Sequence, residues 1–346
     1  MRASRVDRQR PRGAWALVVG LLVLTLGALS VGGAVALARG GVRIADGRVE
    51  FAHQAPEQVP PVQGNPFLGR PLWVNPSSGA AAAAETAEGQ DQELLARLAA
   101  VPTSVWLVPE VHPVGEVGDY VSGVVAAAQG QTSAPVFTIY GIPGRDCEGG
   151  HSAGGLDAAT YATWVREIAE AAGNGAIVIL EPDALASGDC GTPDRVGLLA
   201  RAVDELAGGP VTYIDAGHSN WVDAAAMADL LRQAGVDKVR GFALNVSGYA
   251  DEDGERAYGE RIVAALGGGH FVVDTGRGGA GASGEWCNPP GRAVGAVPTG
   301  VASAGAMDAR LWVKPPGESD GTCGGGPEAG VFWPQRALEL VRAAGW

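Results

Sequence analysis

The sequence predicts an α/β protein whose parallel strands form a closed or nearly closed barrel. Short β-rich runs alternate with helical patterns from residue 65 to residue 346, and such alternation is typical of βα units around a parallel sheet. Glycines directly follow three of the helical patterns, as C-cap glycines do. About seven strands over a region of this length favour a barrel over a small open sheet.

The predicted elements follow one another along the chain. Strands are predicted at residues 104–108, 136–140, 176–180, 211–214, 239–244, 271–273 and 311–313. Helices are predicted between several of them, at residues 160–172, 194–206, 221–234 and 254–266, and Gly173, Gly235 and Gly267 are placed to end three of these. No Ser/Thr/Pro-rich linker interrupts the region, so residues 65–346 are predicted to form one domain.

Residues 1–38 have the pattern of an export signal. Five arginines precede a run without charge from residue 13 to residue 38, which ends in Ala36, Leu37 and Ala38. A basic flank, an apolar core and small residues at its end are typical of a cleaved signal peptide, but the run is also long enough to span a bilayer as an uncleaved anchor. We favour cleavage. In both cases we expect the remainder outside the cell membrane, with residues 39–64 as a polar linker.

Composition restricts the classes of partner. Hydrophobic residues make up 46% of the chain and charged residues 18%, so a sizeable core is expected. The formal net charge is −13, and a surface of that sign repels phosphate backbones, so nucleic acid is not expected as a partner. Nine tryptophans offer flat apolar faces to neutral ligands. Separately, we expect the protein to be a monomer.

The four cysteines agree with export. Cys147, Cys190, Cys287 and Cys323 form an even set, as in chains that fold in an oxidising compartment, and they permit three pairings. We favour two local bridges, Cys147 to Cys190 and Cys287 to Cys323. No C-x-x-C pair occurs and the five histidines are scattered, so no metal site is predicted.

Polar and aromatic side chains stand where the predicted strands end. Functional residues of a parallel barrel gather at the carboxyl ends of its strands. The residues in these positions are Trp106, Tyr140, Asp146, Glu181, Asp183, Asp215, His218, Asn245, Asp274, Lys314, Glu318 and Asp320. Carboxylates transfer protons and indole rings stack on flat apolar faces, so this set favours a site for sugar.

The motifs around these residues resemble glycoside hydrolase family 6, the inverting β-1,4-glucanases that include bacterial endocellulases and cellobiohydrolases. The resemblance extends from about residue 65 to residue 346. Its motifs, in order, are NPFLGR at 65–70, LWVNP at 72–76, RDC at 145–147, EPDAL at 181–185, DAGHS at 215–219, GFALNVS at 241–247, DTGR at 274–277, WCNPPG at 286–291 and KPPGESDG at 314–321. Any one of them is weak evidence, but the ordered series is specific.

The resemblance implies a distorted, incomplete (β/α) barrel with about seven parallel strands and the two local disulfides favoured above. It also implies a cofactor-free catalytic domain at residues 65–346 that hydrolyses β-1,4-glucosidic bonds of cellulose-type glucans or cello-oligosaccharides with inversion. The segment between Asp320 and Phe332 is only eleven residues long, and Cys190 follows Asp183 by seven. Both are short for the loops that roof a tunnel, so we expect an open cleft and endo action.

The resemblance also implies roles for individual residues. Asp183 matches the general acid, Asp146 the carboxylate that keeps the acid protonated, and Asp320 the carboxylate proposed as the base. Tyr140 matches the tyrosine that crowds the sugar at the cleavage site, and Ser152 matches the serine that holds the attacking water. The implied substrate-binding residues are Trp106, His218, Trp221, Asn245, Trp286, Lys314 and Glu318.

Structural alternatives exist for these residues and for the function. Asp183 suits a helix N-cap, Asp146 a simple pair with Arg145, Asp320 a turn, and Tyr140 an ordinary strand-end core position. The functional alternatives are a cellobiohydrolase on the same fold and a catalytically inactive glucan-binding protein. Retention of all three aspartates with Tyr140 argues against the inactive protein.

Overall fold

The computed structural model describes residues 42–45, 48–51, 64–147, 149–192, 194–302 and 305–346, the first two ranges as backbone only. Strands β1 (Val42–Ala45) and β2 (Arg48–Phe51) pair antiparallel, in a region where the sequence predicts no regular element. Residues 58–346 form a compact unit of their own. The predicted export segment, residues 1–38, lies outside the described residues.

Within the described part of this unit, eight strands form one sheet. They are β3 (Val105–Leu107), β4 (Val136–Ile139), β5 (Ile177–Leu180), β6 (Val211–Asp215), β7 (Gly241–Leu244), β8 (His270–Asp274), β9 (Thr299–Gly300) and β10 (Met307–Leu311). The order is β3-β4-β5-β6-β7-β8-β10-β9. All neighbours are parallel except β9, which is antiparallel to β10. The carboxyl ends of the seven parallel strands therefore meet at one edge, as predicted.

One strand was placed wrongly by sequence reasoning. The strand predicted at residues 311–313 lies at β10, and Leu311 is its last residue. Two charged residues inside β10 conceal the strand pattern, but both are paired: Asp308 with Arg240 at 2.8 Å and Arg310 with Glu252 at 2.6 Å. Paired charges can occupy strand positions whose unpaired burial would be too costly.

The sheet curls into an incomplete barrel. Strands β3 and β9 are the two ends of the strand order, so no continuous ladder joins the described strands into a ring. Beyond β10 the chain nevertheless returns to β3, where the Ser104 amide donates to the Trp312 carbonyl at 3.1 Å and the Trp106 indole donates to the Val313 carbonyl at 2.8 Å. The predicted distorted, incomplete barrel of about seven parallel strands is confirmed.

Helices pack around the sheet. They are α1 (Gly79–Thr86), α2 (Gly89–Ala99), α3 (Val117–Gly130), α4 (Ala158–Ala172), α5 (Arg195–Leu206), α6 (Ala224–Gln233), α7 (Glu252–Leu266) and α8 (Pro334–Ala343). The four predicted helices correspond to α4, α5, α6 and α7, with Gly173 and Gly267 as C-caps and Gly235 one residue past the C-cap. Among the described residues, no helix is both long and apolar enough to cross a membrane.

Apolar side chains fill both faces of the sheet. One cluster lies between helices and strands and includes the fully buried Trp164, Phe242 and Phe271, whereas Tyr213 and Val272 belong to a second cluster. Burial of this kind supplies the main stabilisation of the fold. Both favoured disulfides, Cys147–Cys190 and Cys287–Cys323, are present, and each ties together loops that follow strands.

Candidate active site

The exit of β5 places Asp183 in a strained turn. Glu181 and Asp183 have φ values of 49° and 71°, in the left-handed region that non-glycine residues seldom adopt. The Asp183 amide donates to Oδ1 of Asp215 at 2.9 Å, which holds the turn against β6. Turns continue from here to residue 191, and α5 begins only at Arg195. Asp183 is therefore not a helix N-cap.

Asp215 is a site residue that sequence reasoning missed as a functional group. Its side chain is buried, Oδ1 accepts from the amides of Asp183 and Gly217, and Oδ2 has no hydrogen-bond partner among the described residues. Burial, followed by the nearby charge of Asp183, raises the pKa of Asp215 well above its ordinary value. The signal was present in the sequence, because Asp215 ends β6 as Asp183 follows β5.

Glu181 holds the loop that follows β4 in place. Its fully buried carboxylate accepts from the Gly141 amide at 2.9 and 3.2 Å, so it fixes the backbone directly after Tyr140. Burial raises the pKa of Glu181 to about 7, although the bond from the Gly141 amide opposes the rise. A carboxyl group that titrates near neutral pH thus lies two residues before Asp183.

Tyr140, at the exit of β4, forms a wall with Trp106. The two rings meet edge to face at 5.3 Å, and the Arg145 guanidinium lies 5.1 Å from the Tyr140 ring centre. Burial first, and then the charges of Asp183 and Asp146, raise the pKa of the Tyr140 hydroxyl. Both candidate carboxylates therefore influence this hydroxyl, and Tyr140 lines a cavity together with Trp106.

A hydrogen bond between Asp146 and Ser152 closes the loop that follows β4. Oδ2 of Asp146 accepts from the Ser152 amide, and Arg145 donates to the Ser152 carbonyl at 2.8 Å and to the Tyr140 carbonyl at 2.9 Å. The salt bridge of Arg145 is with Glu110, at 2.9 Å. Asp146 is thus held by a backbone amide, and the simple pair with Arg145 is not what the structure shows.

Asp320 lies in a different environment. It accepts from Arg277 at 2.7 Å, from the Tyr249 hydroxyl at 2.9 Å and from the Asn288 amide at 2.9 Å. Burial favours the neutral carboxyl, but the charges of Arg277 and Lys314 outweigh it and lower the pKa of Asp320 below its ordinary value. Asp320 is therefore a fixed anion. Sequence reasoning missed Arg277, because no local pattern indicates its pairing.

The Asp320 loop contacts the Asp146–Ser152 loop. A side chain at Gly321 would collide with the His151 ring, so these two loops pack directly. The Trp286 ring lies 5.8 Å from that of His151 and also approaches Gly149. Trp286 is 56% exposed and is available to stack on a ligand.

Most of the residues with predicted catalytic or substrate-binding roles that remain fall into two groups. Trp106, Tyr140, Ser152, Lys314 and Glu318 line one cavity of about 520 Å³, where the Lys314 ammonium lies 5.2 Å from the Trp106 ring and 3.7 Å from Glu318. His218 and Trp221 lie together after β6, with their rings 5.2 Å apart.

Asn245 departs from its prediction as a sugar-binding residue. Its side chain is buried, donates to the carbonyls of Asp274 and Ala250, and accepts from the Ala250 amide. The amide group therefore holds the exits of β7 and β8 together and is not presented to a ligand. Asp274 itself accepts from three backbone amides, those of Ser247, Gly276 and Lys314.

Among the described residues, one grouping of metal-ligating types occurs: His151, Cys287 and Cys323. Both sulfur atoms belong to the Cys287–Cys323 disulfide, whereas cysteine binds a metal as the free thiolate. This grouping is therefore explained by the disulfide that joins the Trp286 and Asp320 loops.

The fold and site together define a barrel hydrolase with its carboxylates at the carboxyl ends of parallel strands. Residues 67–344 match the profile of glycosyl hydrolases family 6. The chain belongs to this family.

Individual relatives agree. Endoglucanase A of Cellulomonas fimi is 45% identical over 281 residues, which cover 80% of this chain and 62% of the relative, so the chain spans about three fifths of that protein's length. The endoglucanase Cel6 of Mycobacterium tuberculosis, solved with methyl-cellobiosyl-4-deoxy-4-thio-β-cellobioside, is 44% identical with a TM-score of 0.77 and covers 82% of this chain and 100% of its own. The cellobiohydrolase Cel6A of Chaetomium thermophilum is 26% identical with a TM-score of 0.71, over 81% of this chain and 99% of its own.

Proposed function

We propose that the chain is an endo-acting β-1,4-glucanase that hydrolyses cellulose-type glucans and cello-oligosaccharides with inversion at the anomeric carbon. The observation that carries this proposal is the pair of carboxylate environments at the strand exits. Asp183 lies among carboxylates that burial disposes to stay protonated, whereas Asp320 is held as an anion by Arg277. Inverting hydrolysis needs one carboxyl of each kind.

Asp183 is the general acid in this scheme. Two neighbouring carboxyl groups disfavour ionisation of one another, and Asp215, whose Oδ1 accepts from the Asp183 amide, is such a neighbour of Asp183. In this scheme Asp183 delivers the proton that the leaving glycosidic oxygen needs. The Tyr140–Trp106 wall would crowd the sugar at the point of cleavage and favour a distorted ring.

Water activation falls to the loops of Ser152 and Asp320. An inverting enzyme keeps its two carboxyls about 6.5–9.5 Å apart so that a water fits on the far side of the sugar. Asp320 is anionic and accepts from three donors, so it is a weak base on its own. It is nevertheless the anionic acceptor of this half of the site. As the water attacks the anomeric carbon and the glycosidic bond breaks, Asp183 gives its proton to the leaving oxygen and the proton of the water passes to the Asp320 carboxylate, while Ser152 holds the water in place. The scheme uses only side chains of this chain and needs no cofactor.

Endo action is supported by the short segments around the site. The segments after Asp183 and after Asp320 contain turns and short 3₁₀ structure and no long covering element. We expect the viscosity of carboxymethylcellulose to fall early, while few reducing ends have formed. Cellobiose as the sole early product would instead indicate a cellobiohydrolase, and an inactive protein that still binds the polymer would indicate a glucan-binding protein.

We also propose that the chain is exported and works as a monomer outside the cell, released or tethered to the membrane surface. Two disulfides support an oxidising compartment. Mass spectrometry of the native protein should find an amino terminus near Arg39 if residues 1–38 are removed. An intact Met1 in the membrane fraction would contradict cleavage and leave the anchored form.

A further inference from the structure

Helix α7 holds the loop that carries His218 and Trp221. The loop runs from β6 to α6, and α7 belongs to the next βα unit. The Glu255 carboxylate accepts from the Ser219 amide at 3.0 and 3.2 Å. Three residues along the same helix, the Tyr258 hydroxyl donates to the Val222 carbonyl at 2.6 Å. These two hydrogen bonds hold the loop backbone on either side of Trp221.

The Glu255 and Tyr258 side chains are both buried, and burial of their polar groups costs free energy. Glu255 is fully buried and Tyr258 is 1% exposed, and Glu255 forms no ion pair within 4 Å among the described residues. Burying a carboxylate without a cation costs stability unless its hydrogen bonds compensate. The Ser219 amide supplies this compensation, so the buried carboxylate is tied to the loop backbone.

The loop presents Trp221 next to the acid segment. Trp221 is 36% exposed. A side chain at Gly217 would lie 3.2 Å from the Trp221 ring and 2.9 Å from Ala186, so the indole covers Gly217 beside the chain that follows Asp183. An exposed indole in this place can stack on a sugar ring, but only if its backbone is fixed.

We propose that Glu255 and Tyr258 are positioning residues that set the orientation of Trp221 as a stacking surface for a sugar unit of the substrate. They touch no substrate and act only through the loop. The inference rests on the proposed function, since it requires a sugar chain in the cleft.

The test measures binding of cellotetraose by calorimetry in an Asp183→Asn background, which prevents turnover. Tyr258→Phe and Glu255→Met each remove one hydrogen bond to the loop with little change in side-chain volume. We expect each to raise Kd about two- to ten-fold, the loss typical of one buried hydrogen bond. Glu255→Gln keeps an acceptor oxygen and should bind nearly as the parent does.

Coupling to Trp221 separates positioning from general stability. In a Trp221→Ala background the same changes should have no further effect on Kd, because the surface that they orient is gone. The matched control is Tyr213→Phe, which removes a buried hydroxyl that donates to Asp308; it should lower the melting temperature without changing Kd.

Equal weakening in both backgrounds, or none in either, would overturn the inference. Hydrolysis of cellotetraose by the unmodified chain is measured in parallel. If the chain hydrolyses cellotetraose but shows no coupling, only the positioning role fails. If it neither binds nor hydrolyses cellotetraose, the proposed function and the inference both fail.

Discussion

The site has an Asp183 half, at the exits of β5 and β6, and an Asp320 half, around Asp320. The two halves shift the pKa of a buried carboxyl group in opposite directions. Around the exits of β5 and β6, Glu181 and Asp215 are buried carboxyls with raised pKa values, and backbone amides are their main partners. Around Asp320, the buried Arg277 guanidinium lowers the carboxyl pKa. Because the side chains are all carboxylic acids, their environment alone explains why the pKa is raised in one half and lowered in the other.

The difference also shows how each half is built. The Asp183 half relies on backbone strain and amides at strand exits, which are fixed by the parallel sheet. The Asp320 half relies on contacts between distant loops, reinforced by the Cys287–Cys323 disulfide and by the Asn288 side chain, which accepts from the Asp320 amide at 3.0 Å. Changes in the two halves should therefore differ in kind as well as in size.

Asp183→Asn should have the largest effect. The amide keeps the shape of the side chain but has no acidic proton to give, so hydrolysis of glucan should fall by about 10²–10⁴-fold. An aryl β-cellobioside whose phenolate leaves without protonation should be cleaved with a much smaller loss. Initial rates on the two substrates provide the measurement.

The alternative outcome for this variant is equally clear. An equal loss on both substrates would assign Asp183 a structural or water-activating role, and Asp146 would become the better candidate for the acid. Binding of cellotetraose serves as the folding control, since the variant should retain it.

Asp320→Asn should combine a loss of activity with a loss of stability. It leaves the buried Arg277 charge without an anion, and breaking a buried pair typically costs about 3–5 kcal/mol. Because the folded-state pKa of Asp320 is lowered, the pair contributes stability above the unfolded-state pKa. The difference in stability between the parent and Asp320→Asn should therefore disappear as pH falls through the lowered pKa of Asp320. Denaturant unfolding at several pH values measures it.

Asp215→Asn is the matched change in the other half. The amide oxygen can still accept from the Asp183 and Gly217 amides, and the change removes a charge that burial opposes. The free energy of unfolding at pH 7 should not fall, although activity should. If Asp215→Asn is as destabilising as Asp320→Asn, the two environments do not differ as described.

The same contrast explains what the sequence could predict. Strand runs such as that of β5 are apolar and end in acidic residues, so the barrel and the positions of Asp183 and Tyr140 could be predicted. Asp215 was equally visible at a strand exit. Helices α1 and α8 lack a neighbouring strand pattern, so local periodicity did not identify them. Strand β10 carries Asp308 and Arg310, so its predicted position was displaced along the chain.

Long-range pairing limited prediction of the Asp320 half. Arg277 precedes Asp320 by 43 residues, and no spacing rule connects them. The burial of Asn245 was hidden for a similar reason, since its partner Asp274 becomes a neighbour only when β7 and β8 pair. Side chains at strand exits are thus predictable in position, whereas their orientation depends on which loops close over them.

The smallest effect concerns Glu181 and the pH dependence of stability. Its folded-state pKa is raised from 4.5 to about 7, so the stability linked to its proton is fully present below about pH 4.5 and is lost as pH rises through about 7. The rise corresponds to about 3 kcal/mol. Glu181→Gln keeps an acceptor for the Gly141 amide but does not titrate, so its unfolding free energy should decline less than that of the parent between pH 4.5 and 7. Denaturant titrations of both proteins across this range give the difference. Parallel curves would show that Glu181 stays ionised despite its burial, and the Asp183 half would then lose one of the two raised carboxyls that distinguish it from the Asp320 half.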